Sequence, residues 1–488
     1  MNNGYRHKTY KVRLHVISPV HIGCDDAYEP TGFVVDRSNR QLIAFDPVEF
    51  VGGLTSEDRR KFLAICEKGT LASLVELYRF MDGRRSAATG RTVSVSEGFL
   101  KVYDRVLKLT ESERDIRQEL NKFAISRTSY LPLDNAPYIP GSALKGALRT
   151  GWLNHLNRGT VRHVDGKNKR AGEFLETDLL KLAERDISSD PFRLVKVSDF
   201  LPVGQPETMI RFAVNKKKKP SKHEPRGPQQ LLEVIRHDRN ALFEGIITLV
   251  APEKGASIRN PLPVELSLLQ NSATFFQKEM AEEETMLKGI NLSAGIARKL
   301  REMFGERYLK EVFPVRIGRH SGAEAVTIEG ARSIKIMGKK GDPPKYGPHS
   351  TTTWLAGDTP KAAAGLQPFG WVALEVLEAD SRELFPERVF SAIAPVSIPK
   401  IAAEPPKPSV PTDQVVWEPA ILAWSPGNAM LSATSEDGKR AEACIGSDRT
   451  LVTDEVITRL KKGKAVKARV SLEQQGNAFK IMKVEVLN

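Results

Sequence analysis

Tyr138-Ile139-Pro140-Gly141-Ser142-Ala143-Leu144-Lys145-Gly146-Ala147-Leu148-Arg149-Thr150 is the stretch on which the fold turns. A strand-like Tyr138-Ile139 halts at Pro140, whose ring fixes φ and removes a donor, and a helix opens at Gly141-Ser142. Gly141 permits close backbone approach, Ser142 can cap the helix, and Lys145 and Arg149 fall on one helix face. The unpaired amides at a helix start carry partial positive charge, so the whole would suit a phosphate. By spacing alone it reads first as an ordinary capped helix with two solvated cations, since anion sites of this kind form on many folds.

Upstream, Tyr10 to Ile17 alternates as a half-buried strand does, with Tyr10, Val12, Leu14 and Val16 on one side and Lys11, Arg13 and His15 on the other. Gly32 to Asp36 and Gln41 to Phe45 predict two more strands. Ser56-Glu57-Asp58 predicts a capped, acidic helix start, and helical spacing continues through Leu71 to Met81. A polar helix is expected near Glu111 to Phe123. Downstream, Leu194 to Phe200, Met209 to Val214, Leu231 to Ile235 and Leu242 to Val250 read as strands. The run Asn215-Lys216-Lys217-Lys218-Lys219-Pro220-Ser221-Lys222 between two of them has no core-forming residues, so it reads as a basic hairpin loop, either solvated or set against a phosphate backbone. A helical region follows from Asn271 to Met303, then strands at Val312 to Ile317, Ser333 to Met337 and Trp371 to Leu377. Strands and helices alternate without the regular rhythm of a parallel sheet, which predicts an α+β class.

Pro395, Pro399, Pro405, Pro406, Pro408 and Pro411 make residues 395–414 a semi-extended linker. Beyond it, residues 415–488 read as three strands, a short helix at Asp454 to Lys462 and two further strands. That is the order of a small β-rich OB-like barrel.

Across the 488 residues, 73 Lys and Arg against 60 Asp and Glu leave a net charge of +13, which favours a polyanionic partner. Cys24, Cys66 and Cys444 are odd in number and form no CxxC pair, against a disulfide framework or a cysteine zinc site and in keeping with a reducing cytoplasm. The nine histidines include no HxxxH or HExxH pair. Gly338-Lys339-Lys340-Gly341 lacks the spacing of a nucleotide phosphate loop, so neither a metal nor a cofactor is expected. No run approaches the roughly 18 apolar residues of a membrane span, and the opening residues lack the apolar core of a signal peptide; a cytoplasmic protein is expected. In Gly318-Arg319-His320-Ser321-Gly322, two glycines bracket a cation, an imidazole and a hydroxyl. Such a loop either exposes amides and donors to a sugar-phosphate chain or is a plain glycine turn with a solvated Arg319.

Ile139 to Arg149 closely resembles the motif of the RAMP superfamily of CRISPR effector proteins. Ser18-Pro19-Val20-His21-Ile22-Gly23 resembles the way these proteins end their first strand, and Gly365-Leu366-Gln367-Pro368-Phe369-Gly370-Trp371 is similar to their late glycine-rich loop. Gly318 to Glu324 resembles a loop of one branch, the subunit that caps the crRNA 3′ end in type III-A (Csm) complexes.

The resemblance implies two ferredoxin-like (RRM-like) RAMP modules with helical insertions, residues 1–250 and 251–394, ahead of the linker and the OB-like domain. It implies a crRNA-binding structural subunit that ends the filament at the 3′ side of the guide. Such a subunit would touch the neighbouring backbone RAMP subunit, meet target RNA indirectly and support crRNA maturation, with trimming left to host nucleases. The residues expected to bind RNA are Gly141, Ser142, Lys145, Arg149, Gly318, Arg319, His320, Ser321, Gly365, Gly370, Lys217 and Lys218; Phe369 and Trp371 are core or base-stacking residues.

The alternative is an enzyme. Related RAMP endoribonucleases process precursor crRNA without metal, using a histidine from the first-strand region as general base, which here would be His21 or His15. The aspartate by which the backbone subunit cuts target RNA would fall near Pro30 or Thr31, where no acid stands.

Overall fold

A computed structural model describes residues 7–377 apart from short breaks at 86–87, 111, 169, 184–185, 223, 226, 239, 264–265 and 338–342, and, within 415–487, five strands and parts of their connections. The linker expected at 395–414, the Gly338 to Gly341 segment and most of the helix expected at Asp454 to Lys462 lie outside the described residues. The chain forms two compact units, Met1–Leu384 and Phe385–Asn488.

In the larger unit, one antiparallel sheet runs in the order Val312–Arg316, Trp371–Leu377, His7–Val16, Leu242–Val250, Val195–Val197, with Leu201–Pro202 also on the fourth strand. His7–Val16 is central because its alternation leaves Tyr10, Val12, Leu14 and Val16 buried on one face. Leu14 pairs with Phe243 on one side and Leu374 on the other. That face is covered by the helices Gly141–Asn157 and Ser267–Lys288, whose Leu144, Leu148, Trp152, Leu269, Phe276 and Met280 share its core. The two helices cross closely at Gly151, where a Cβ would lie 2.6 Å from the Cα of Ser272.

A nine-stranded sheet runs Gly23–Ala27, Ile125–Thr128, Leu231–Ile235, Thr208–Lys217, Arg91–Ser94, Gln41–Ala44, Phe33–Asp36, with Thr352–Gly357 and Gln367–Pro368 branching from Thr208–Lys217. Leu71–Asp82, Glu97–Leu107 and Glu113–Phe123 pack on one face through Val75, Tyr78, Phe99, Tyr103, Ile116 and Phe123. Val34 and Ile43 on the other face share a separate core with Phe50 and Phe62 of the helices Pro47–Gly53 and Ser56–Glu67.

Neither sheet divides at residue 250. Val312–Arg316, Trp371–Leu377 and Thr352–Gly357 complete sheets whose other strands come from earlier in the chain, so residues 251–394 hold no large sheet of their own among the described residues. Satisfying the open edges of existing strands removes unpaired backbone groups. The region read as one helix from Asn271 to Met303 is two, Ser267–Lys288 and Ile296–Phe304, separated by a turn around Asn291 and Gly295, both at positive φ. Lys216 and Lys217 belong to the strand Thr208–Lys217, so the basic loop begins later than expected.

The smaller unit is a closed barrel of Val415–Ser425, Met430–Thr434, Arg440–Cys444, Val466–Gln475 and Ala478–Val486. In chain order these strands are arranged 1-2-3-5-4, with the third and fifth parallel. Leu422, Leu431, Val470 and Ile481 fill its core.

Candidate nucleic-acid interface

Three segments far apart in sequence meet at the end of the strand His7–Val16. The amides of Ile17 and Ser18 donate to the Trp371 carbonyl at 2.9 and 3.1 Å, and the Trp371 amide donates to Ser18 Oγ at 2.9 Å. Gly370 donates to the Pro19 carbonyl at 2.9 Å, and Arg319 to the His21 carbonyl at 2.8 Å. Ile317 closes the set by donating to the Gly370 carbonyl at 2.9 Å. Two glycines make this crossing possible. Gly318, at φ +82°, would put a Cβ 2.4 Å from the His21 carbonyl oxygen, and Gly370, at φ +89°, would put one 2.2 Å from that of Ile317. Both the conformation and the approach exclude a side chain.

The Gly318 loop is therefore anchored by backbone, and its side chains divide. Arg319 points outward and is exposed. His320, left-handed at φ +63°, turns inward. Its ring lies 5.1 Å from Trp354 at an interplanar angle of 28°, and 5.4 Å from Phe369, while Nε2 sits 3.1 Å from Gln230 Oε1. Burial, with smaller contributions from Arg319 and His21, lowers its pKa to about 4, so this imidazole is neutral at pH 7. Ser321 is buried and donates to the Gly318 carbonyl at 2.5 Å, so its hydroxyl serves the turn.

Gly365 is exposed at φ +66°, and its carbonyl accepts from Arg211 at 3.5 Å. Of the aromatic residues beside it, Phe369 and Trp371 are both fully buried and belong to the core. The Trp371 indole donates to Glu283 Oε2 at 2.7 Å; the same carboxylate pairs with buried Arg316 at 2.8 Å. A cleft of about 390 Å³ beside the loop is lined by Gly318, His320, Gly322, Lys335, Thr352 and Trp354 among others. A larger one of about 650 Å³ carries Glu279, Glu282, Glu283 and Glu324 as well as Lys218, Lys219, Lys278 and Arg316.

The Gly141 helix forms where expected, but its start differs in detail. Ser142 is exposed and makes no capping bond; the first amide, that of Gly141, donates instead to Asp199 Oδ1 at 2.8 Å. Gly141 is required because a Cβ there would lie 2.5 Å from the carbonyl oxygens of both Val197 and Ser198. Arg149, read as a cation facing a phosphate, is held by Glu176 at 2.7 Å and Asp190 at 2.9 Å. Two carboxylates within hydrogen-bond reach satisfy its guanidinium fork. Lys145 is half-buried, and burial followed by the nearby Lys196 lowers its pKa. Of the two basic-run residues singled out, Lys217 donates to Ser221 Oγ at 2.8 Å and Lys218 pairs with the buried Glu324 at 2.6 Å.

His15 and His21 are not brought together for acid-base chemistry. His15 Nε2 lies 2.7 Å from Glu375, which also pairs with Arg307, and its ring packs edge-on against Phe304. His21 is 0% exposed, its Nδ1 2.7 Å from the Glu233 carbonyl oxygen, and burial lowers its pKa. A group sealed in this way cannot reach a 2′-hydroxyl. Trp354 and Gln230 were missed in the sequence. The β-branched run Thr351-Thr352-Thr353 before Trp354 is a strand signal, but nothing local tells which strand it joins.

The chain belongs to the RAMP superfamily, whose family model matches residues 13–352. A relative from Methanocaldococcus jannaschii, the CRISPR system protein Csm5, is 26% identical over 202 residues, or 40% of this chain, and the match spans 43% of that relative's length. Among solved structures, a chain of a Csm–crRNA–target RNA ternary complex of a type III-A system is 18% identical, with a TM-score of 0.49, and the alignment covers 75% of this chain and all of that one. The crystal structure of T. onnurineus Csm5 aligns with the same coverage and identity at a TM-score of 0.42. No helix among the described residues is long and apolar enough to cross a membrane.

Proposed function

We propose that this chain is a crRNA-binding structural subunit of a type III-A CRISPR interference complex, capping the filament at the crRNA 3′ end beside the backbone RAMP subunit and supporting guide maturation. The observation that carries the reading is the meeting of Ser18–Gly23, Gly318–Gly322 and Gly365–Gly370 at one locus, with Arg319 exposed upon it. The kinship with Csm5 supports it. Backbone-built loops and exposed cations suit a polymer whose bases vary from guide to guide, because phosphate and sugar contacts carry no sequence information.

The first sheet is read as a ferredoxin-like module. His7–Val16, the helix Gly141–Asn157, Val195–Val197, Leu242–Val250, the helix Ser267–Lys288 and Trp371–Leu377 follow the order βαββαβ, and Val312–Arg316 is an added edge strand. The barrel's 1-2-3-5-4 order supports an OB-like reading of the tail. For the ribonuclease alternative, His21 is sealed in the core and the half-buried His15 is held by Glu375.

Co-purification of the tagged protein from its native locus, with sequencing of bound RNA, tests the proposal. Short guides recovered with other effector subunits, and overlong or ragged 3′ ends when the protein is deleted, are the expected result. Intact complexes carrying unprocessed repeat RNA after deletion, or defined RNA products made by the purified protein in EDTA, would move the ribonuclease reading to the front.

A further inference from the structure

We infer that the cleft beside Gly318 to Gly322 holds one unpaired nucleobase of a single-stranded RNA against the Trp354–His320 aromatic pair. The inference rests on the functional reading above and adds to it a stacking site. Trp354 is half-buried on the strand Thr352–Gly357, and together with His320 it forms one wall of the cleft. One face of its ring stacks on His320 at 28°, and the outer edge of the indole lies near Gly227, where a Cβ would come within 2.9 Å of it. A fixed aromatic loses little freedom when a base packs on it.

Three further features favour a nucleotide. The volume of about 390 Å³ suits a small ligand or one unit of a polymer. Among the described residues no carboxylate lines the cleft, whereas the larger neighbouring cleft has four. Lys335 lines it and is exposed, so a cation stands at the space a sugar-phosphate chain would need, and exposed Arg319 is next in sequence to the lining residue Gly318. His320 is held left-handed between two glycines, a conformation costly for a side chain unless its surroundings enforce it. Here that conformation sets the imidazole against Trp354. Stacking accepts any base, as a guide-binding protein requires.

The test is equilibrium binding of a labelled single-stranded RNA to the full chain, scanning an abasic nucleotide through the RNA. The wild-type protein should lose about 5- to 150-fold in affinity when one particular base is removed. Trp354→Leu, which keeps apolar bulk but lacks a π-face, should lose a similar factor with intact RNA and then be indifferent to the abasic position. Trp354→Phe should retain most of the affinity. Thermal unfolding of each variant confirms that it is folded. Unchanged affinity in Trp354→Leu, or an abasic penalty that persists in it, overturns the stacking site and leaves the functional reading intact. A wild-type chain that binds no RNA overturns both.

Discussion

The amide of Gly370 donates to the carbonyl of Pro19 at 2.9 Å, tying the end of the first strand to the start of the strand Trp371–Leu377 beside it. This bond, with that from Arg319 to His21, turns three glycine-bearing segments into one locus. The consequence is that the loops are set by backbone geometry, and their side chains are left to contact a partner or the core.

Gly370→Ala should be among the most damaging single changes in the larger unit. The new Cβ would meet the Ile317 carbonyl at 2.2 Å, at a φ of +89° that an L-residue adopts only with strain. A loss of about 2–4 kcal/mol in denaturant unfolding is expected; less than about 0.5 kcal/mol would mean that the crossing relaxes freely.

Removing Glu283 should expose the cost of an unpaired buried cation. Arg316 is nearly inaccessible and pairs with Glu283, which also accepts the Trp371 indole. Glu283→Ala is expected to cost about 3–5 kcal/mol, and adding Arg316→Met should recover much of it. A double-mutant cycle measures the recovery, and additive losses would contradict the coupling.

Lys145 and Arg149, adjacent on one helix face, should behave differently. Arg149→Ala strands the carboxylates of Glu176 and Asp190 and should destabilise the fold by about 1–2 kcal/mol. Lys145→Ala removes a half-buried cation near Lys196, so stability should hold while RNA affinity falls and its salt slope drops by about one. Thermal melts and salt-titrated binding separate the two, and equal melting losses would contradict the division.

Stability should decline in mild acid before most carboxylates titrate. His237 and His320 have folded pKa values lowered to about 4, chiefly by burial. Because the folded values lie below the unfolded value of about 6.5, the stabilisation is complete above pH 6.5 and is lost as pH falls towards 4. Between those limits the unfolded chain binds the extra protons, with a slope approaching about 1.4 kcal/mol per pH unit for each histidine. Urea unfolding across pH 4–7 checks this, and His237→Asn should flatten the profile.

Periodicity alone determined much of the larger unit. The alternation of Tyr10, Val12, Leu14 and Val16 and the Pro140-Gly141 break mark their elements locally, because burial on one face and the loss of a backbone donor are properties of short segments. The motif at Ile139–Arg149 likewise identified the superfamily. Only the tertiary structure decided which residues are available. Arg149 and Lys218 look like free cations in sequence, yet Asp190 and Glu324, which pair with them, come from distant elements. His21 reads as a candidate base until the Gly318 loop and Glu233 close over it. Trp354 shows nothing in its own neighbourhood of the histidine it stacks on, because that contact depends on a left-handed His320 reached by long-range strand pairing. Local patterning fixes elements because its forces act within a turn or a strand. Solvent access and ion pairing depend on which elements meet, and that is set by the packed chain.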